Sequence, residues 1–144
     1  MKSYKEIVIL VADDDDGHAE LIQEGLRNSG VNNRILRFRN GDELWQFFSR
    51  ESVRGEVFNL QKAYLLLLDI NMPRMDGVEV LSRMKGDPAL KSIPVMMLTT
   101  TDDPREIERC YNLGCNAYIT KPVDFGQFAE TLRRLGLFLQ VVKV

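Results

Sequence analysis

Ala63-Tyr64-Leu65-Leu66-Leu67-Leu68-Asp69-Ile70-Asn71-Met72-Pro73 is the stretch that decides the fold. An unbroken apolar run this short, bounded by polar segments, reads as a strand buried on both faces, the habit of parallel sheets. Asp69 stands at its carboxyl end, where open α/β sheets gather their chemistry. Pro73 then ends the strand and begins a loop. A charged side chain in that position is placed for work rather than for packing.

Outward from this strand the elements alternate. Short β-branched or apolar runs at 7–11, 33–38, 93–98 and 117–120 read as further strands. Between them, apolar residues recur at helical spacing over 17–28, 42–48, 77–85, 104–113 and 124–135. Gly30, Gly86 and Gly114 mark helix ends, and Asp124 is placed to cap the last helix. Residues 50–62 fit no element; they read as a helix extension plus a loop that tucks Val57, Phe58 and Leu60 against the body. Strands separated by helices predict a parallel sheet with helices on both faces, and right-handed crossovers make it doubly wound.

The bulk properties exclude several classes. The 144 residues suit one domain, and 44% hydrophobic content supplies a core without disulfides or a structural metal. A formal net charge of −2 gives no basic field for nucleic acid. No apolar stretch approaches the ~20 residues needed to span a bilayer, and no signal peptide is visible, so a cytoplasmic location is expected. Cys110 and Cys115 have neither CxxC nor metal spacing and read as small buried thiols.

Asp13-Asp14-Asp15-Asp16 follows the first strand directly. Adjacent aspartates repel unless a cation sits among them. Acids at a solvated helix N-terminus, favoured by the helix dipole, are the plain alternative. A parallel sheet, however, brings strand ends together, so Asp13, Asp14 and Asp69 can converge on one hard cation. Mg2+ suits such a site, because it takes oxygen ligands and keeps several waters; a main-chain carbonyl near Asn71 can complete the set. Thr99 would bring a hydroxyl to the same edge and Lys121 an ammonium. A carboxylate nucleophile, a divalent cation, a hydroxyl and a lysine are the parts of a phosphoryl-transfer centre.

In these residues the chain resembles the response regulator receiver domain of bacterial two-component signalling. Residues 7–14 carry its first strand and acidic pair. Leu68-Asp69-Ile70-Asn71-Met72-Pro73-Arg74-Met75-Asp76-Gly77 is similar to its phosphoacceptor loop. Pro94-Val95-Met96-Met97-Leu98-Thr99-Thr100 and Gly114-Cys115-Asn116-Ala117-Tyr118-Ile119-Thr120-Lys121-Pro122 match its later hallmarks. The resemblance spans roughly residues 5–136. It implies a flavodoxin-like fold with strand order 2-1-3-4-5. It implies that Asp69 accepts a phosphoryl group from a sensor histidine kinase. Asp14 would be the main metal acid, Asp13 would assist through water, and the Asn71 main chain would supply another ligand. Lys121 would bridge to the phosphoryl oxygen, while Thr99 and Tyr118 would act as the switch. A cis Lys121–Pro122 peptide is also implied.

The long segment 50–62, Gly17-His18-Ala19 and the threonine run at 99–101 look like the stand-alone regulators associated with bacterial phytochromes, so a bacteriophytochrome is the expected kinase. Asp16 stands where many relatives have proline. His18 is expected at the start of the first helix, facing solvent or a neighbouring loop, and Trp45 half-buried on the second. On this reading residues 1–144 are a single receiver domain with an apolar tail from about 137 and no output domain of its own. It is not an enzyme beyond self-catalysed phosphorylation and slow autodephosphorylation. The tail, Leu137-Phe138-Leu139 and Val141-Val142, is read as interface, with folding back onto its own domain as the alternative. It is expected to build a homodimer through the fourth helix, fifth strand and fifth helix, with Phe138 near its centre. The competing classes are a phosphatase with an aspartate nucleophile, disfavoured because Asn71 stands where a second acid is needed, and a binding module without phosphorylation, disfavoured by the full set Asp14, Asp69, Thr99 and Lys121.

Overall fold

A computed structural model describes residues 7–141, apart from the side chains of Phe125, Phe138, Gln140 and Val141. Its elements are β1 (Ile7–Ala12), α1 (Asp16–Asn28), β2 (Ile35–Phe38), α2 (Gly41–Phe48), β3 (Ala63–Leu68), α3 (Gly77–Lys85), β4 (Val95–Thr99), α4 (Pro104–Leu113), β5 (Ala117–Thr120) and α5 (Phe125–Val141). The strands form one parallel sheet in the order β2-β1-β3-β4-β5, as expected.

Alternation along the strands builds a core on each face. Val8, Leu10 and Ala12 of β1, with Leu66, Leu68, Val95 and Met97, meet Leu44 and Phe47 of α2, Val80, Leu81 and Met84 of α3, and Cys110 of α4. Ile9, Val11, Leu67, Met96 and Leu98 face the other way, onto Ile22 and Leu26 of α1 and Phe128, Leu132 and Leu135 of α5. β3 is the central strand and feeds both cores, which is why its sequence is apolar without alternation.

Four expectations change. Residues 50–62 do not extend α2, which ends at Phe48. They turn back through a Val53–Glu56 bridge, with Arg50 and Arg54 in the left-handed backbone region at φ 66° and 48°. Phe58 does tuck in, packing on Phe47, Phe48 and Tyr64, but Val57 and Leu60 stay exposed; Val53 is the second buried anchor. No cis peptide occurs among the described residues, so the Lys121–Pro122 bond is trans; the tertiary amide before proline leaves the two isomers within about 1 kcal/mol, and the motif alone does not decide. Finally, α5 does not stop at 135. It continues to Val141, with Leu139 packed on the α1/α5 core and Leu137 exposed. Helical periodicity therefore splits the apolar tail: one side returns to its own domain. The Phe138 side chain and Val142 lie outside the described residues. Trp45 is half-buried, edge-on to Phe48 and covered by the Arg83 guanidinium at 5.7 Å.

Candidate phosphoryl-transfer site

Strand register assembles the site. Ala12 pairs with Leu68, so Asp13 and Asp69 are the first residues beyond the same rung. The Asp69 N–H still donates to the Ala12 carbonyl at 3.0 Å, and the Asp13 N–H to the Phe38 carbonyl at 3.1 Å. On the other side Thr99 pairs with Thr120, and the Lys121 N–H donates to the Thr99 carbonyl at 2.7 Å. Four strand ends thus contribute Asp13, Asp69, Thr99 and Lys121, all of them buried.

The Lys121 ammonium is the hub. Its Nζ lies 2.5 Å from Asp13 Oδ2, 3.3 Å from Asp69 Oδ2 and 3.2 Å from His18 Nδ1. Burial raises the Asp13 carboxyl above its ordinary range, a push that Lys121 and the Asp15 N–H oppose by stabilising the charged form. Asp13, Asp14 and Asp69 each offer an oxygen within 4.8 Å of the others, with Asp14 on the solvent side. Asp69 Oδ1 is buried and has no hydrogen-bond partner among the described residues. A buried carboxylate oxygen without a donor is costly unless something outside the protein satisfies it. Three carboxylates against one lysine leave the same cluster short of positive charge. Both features fit a hard, oxygen-seeking divalent cation held by Asp13, Asp14 and Asp69.

The loops around the cluster are held by their own chemistry. Asp15 caps α1 by accepting from His18 N–H at 3.0 Å, which lowers its carboxyl pKa, and Asp76 caps α3 through Glu79 N–H. Gly77 permits α3 to start against Asp69: a Cβ there would lie 2.1 Å from the Asp69 carbonyl oxygen. The Asn71 side chain reaches across the mouth, its Nδ2 donating to Thr101 Oγ1 at 3.0 Å. Thr99 is fully buried, with Oγ1 accepting a long 3.4 Å bond from Thr101 N–H. Tyr118 is turned inward, its Oη donating to the Thr101 carbonyl at 2.5 Å, and burial pushes its phenol up to about 12.

Sequence reasoning missed two residues here. His18 does not simply face solvent; it touches Lys121 and lies edge-on to Phe128, with ring centroids 5.8 Å apart. Its position at the start of a helix that follows β1 was the available signal. Arg37 carried no signal beyond its place near the end of β2, yet it grips the acidic turn: Nε and Nη2 donate to the Asp13 carbonyl at 3.1 and 2.8 Å, and Nη1 to Asp16 Oδ1 at 2.7 Å.

Residues 9–133 match the family model of the response regulator receiver domain. The chain belongs to that family. Receiver domains take a phosphoryl group from a sensor histidine kinase onto an aspartate, and this receiver carries the acidic cluster for it. It is 37% identical over 114 residues to the response regulator Rcp1 of Synechocystis, covering 79% of this chain and 76% of that protein. A crystal structure of a response regulator receiver domain from Rhodospirillum rubrum shares 45% identity at a TM-score of 0.84, over 95% of this receiver and 96% of the other chain. The Mn(2+)-bound form of Rcp1 superposes equally well, at 0.84, with 30% identity over 94% and 96% of the two chains. A phosphorylated cyanobacterial phytochrome response regulator, RcpA, matches at 0.83 with 33% identity over 96% of each. Among the described residues no helix is long and apolar enough to cross a membrane.

Proposed function

We propose that Asp69 is the phosphoacceptor and that Asp13, Asp14 and Asp69, with the Asn71 main chain, hold Mg2+. One observation carries the reading: Asp69 presents a buried oxygen with no partner among the described residues beside two further acids, while its other oxygen is held by Lys121. In the transfer, a carboxylate oxygen of Asp69 forms a bond to phosphorus as the phosphorus–nitrogen bond of the kinase's phosphohistidine breaks, and the freed imidazole takes up a proton. The product is an acyl phosphate. Bound magnesium would supply charge compensation for the phosphoryl oxygens. Lys121 sits at the acceptor and neutralises one of those oxygens. Thr99 offers a hydroxyl to another, and Tyr118 moves with the segment at 99–101 to which it is bonded. The manganese-bound state of Rcp1 supports a divalent cation here.

In this reading residues 1–144 are one receiver domain, served by a phytochrome-type histidine kinase; the likeness to RcpA supports that kinase class. It pairs with a second copy through α4, β5 and α5, where Tyr111, Val123 and Leu137 are exposed apolar groups. The test is incubation with a small phosphodonor and magnesium, read by intact mass. The wild type should gain one phosphoryl group and Asp69→Asn none; full labelling of the variant would move the acceptor elsewhere. Sedimentation with and without phosphorylation addresses the dimer, and a protein that stays monomeric at about 100 μM in both states removes it.

A further inference from the structure

We infer that Arg37 is a positioning residue for the cation site: its guanidinium fixes the four-aspartate turn so that Asp13 and Asp14 face the cation. This rests on the proposal that those acids bind magnesium. Each aspartate of the run has a different fate. Asp13 binds Lys121 through its side chain. Asp15 caps α1. Asp16 pairs with Arg37. Only the Asp14 carboxylate has no hydrogen-bonding or ionic partner among the described residues, and it stands at the cluster's open side.

The Asp13 peptide units are pinned at both ends. Its N–H is held by the Phe38 carbonyl and its C=O by two nitrogens of Arg37, both from the end of β2. That carbonyl belongs to the peptide joining Asp13 to Asp14, so its orientation sets where Asp14 begins. The Arg37 side chain is 17% exposed and all three donor nitrogens used are engaged, which fixes the fork. A planar guanidinium can span a carbonyl and a carboxylate in this way; a lysine ammonium supplies charge without the fork. Arg37 is itself braced from the 50–62 segment: Arg54 donates to its carbonyl and pairs with Glu43.

The sign of the effect separates this role from a simple charge effect. Arg37 is a cation near a cation site, so by charge alone its removal should tighten magnesium binding. Positioning predicts the opposite. Magnesium titration by calorimetry, with the wild type, Arg37→Gln, Arg37→Lys, Asp16→Asn and Asp14→Ala, decides it. Arg37→Gln and Arg37→Lys should both bind magnesium at least five-fold more weakly, while Asp16→Asn stays within two-fold. In phosphorylation by a small phosphodonor, both Arg37 variants should need more magnesium for half-maximal rate and reach the wild-type rate at saturation. Affinity that is unchanged or tighter in Arg37→Lys overturns the role, and so does a lowered rate at saturating magnesium with unchanged affinity. If the wild type and Asp14→Ala bind magnesium equally, the underlying site assignment fails instead, whatever Arg37 does.

Discussion

Lys121 reaches closer to Asp13 than to Asp69, 2.5 Å against 3.3 Å, although Asp69 is the proposed acceptor. The lysine thus makes its tightest contact with an acid of the proposed cation site. Binding magnesium would take over the charge of Asp13 and free Lys121 for Asp69 and its phosphoryl group.

Burial makes charged Asp13 a cost to the folded protein, one that Lys121 only partly offsets. Burial holds its carboxyl pKa above the unfolded value, so the folded state keeps the proton longer. As pH rises from the ordinary range near 3.8 through the folded value, stability falls. Asp13→Asn removes the charge and still leaves Lys121 its Asp69 counter-ion. Without magnesium at pH 7 it should melt higher. It should also reduce the magnesium-induced rise in Tm. Thermal denaturation with and without magnesium checks both; a lower metal-free Tm contradicts the argument.

Gly77→Ala should be among the most damaging small changes. The added methyl meets main chain, the Asp69 carbonyl oxygen at 2.1 Å, which cannot swing aside like a flexible side chain. We expect a loss of about 2–3 kcal/mol in a urea titration, accompanied by slower phosphorylation because the acceptor is displaced.

The two thiols should be inert in the native protein. Cys110 and Cys115 are buried and free, and burial lifts the Cys110 thiol to about 11. At pH 8 its thiolate fraction is about one in a thousand. Iodoacetamide should label neither cysteine in buffer and both in denaturant; rapid native labelling would contradict the packing of α4.

Ending the chain at Gly136 should cost stability as well as any pairing. Leu139 lies half-covered on the α1/α5 core, so its removal gives up about 1 kcal/mol of burial. A truncated chain with an unchanged urea midpoint would mean that the last turn of α5 contributes nothing to the domain.

Much of this was legible in the sequence, because the fold rests on strong local signals. The β3 run, the glycines after the helices and the aspartates at strand ends each announce themselves. The sheet order follows from the family, and the convergence of Asp13, Asp69, Thr99 and Lys121 follows from a parallel sheet. What stayed hidden depends on side chains crossing between elements. Arg37 looks like any β2 arginine until its fork is seen on the Asp13 carbonyl. His18 looks like a helix-start residue until Lys121 lies beside it. Residues 50–62 have no period to read, since a bridge and two left-handed arginines shape them. The tail left two readings open because an apolar cluster in sequence becomes two faces once wound into a helix.

The shared rung of Asp13 and Asp69 has a practical corollary. No short fragment contains the proposed reacting centre: residues 13, 69, 99 and 121 stand at the ends of four strands and meet only when β1, β3, β4 and β5 are all in register. A slip of one residue between β1 and β3 would point one of the two acids into the opposite core. Chemical competence is therefore a direct census of correctly assembled molecules. The fraction of a preparation that accepts a phosphoryl group should track the fraction in which these four strands are in register, so the proposed acceptor can serve as a built-in titrant for folding yield.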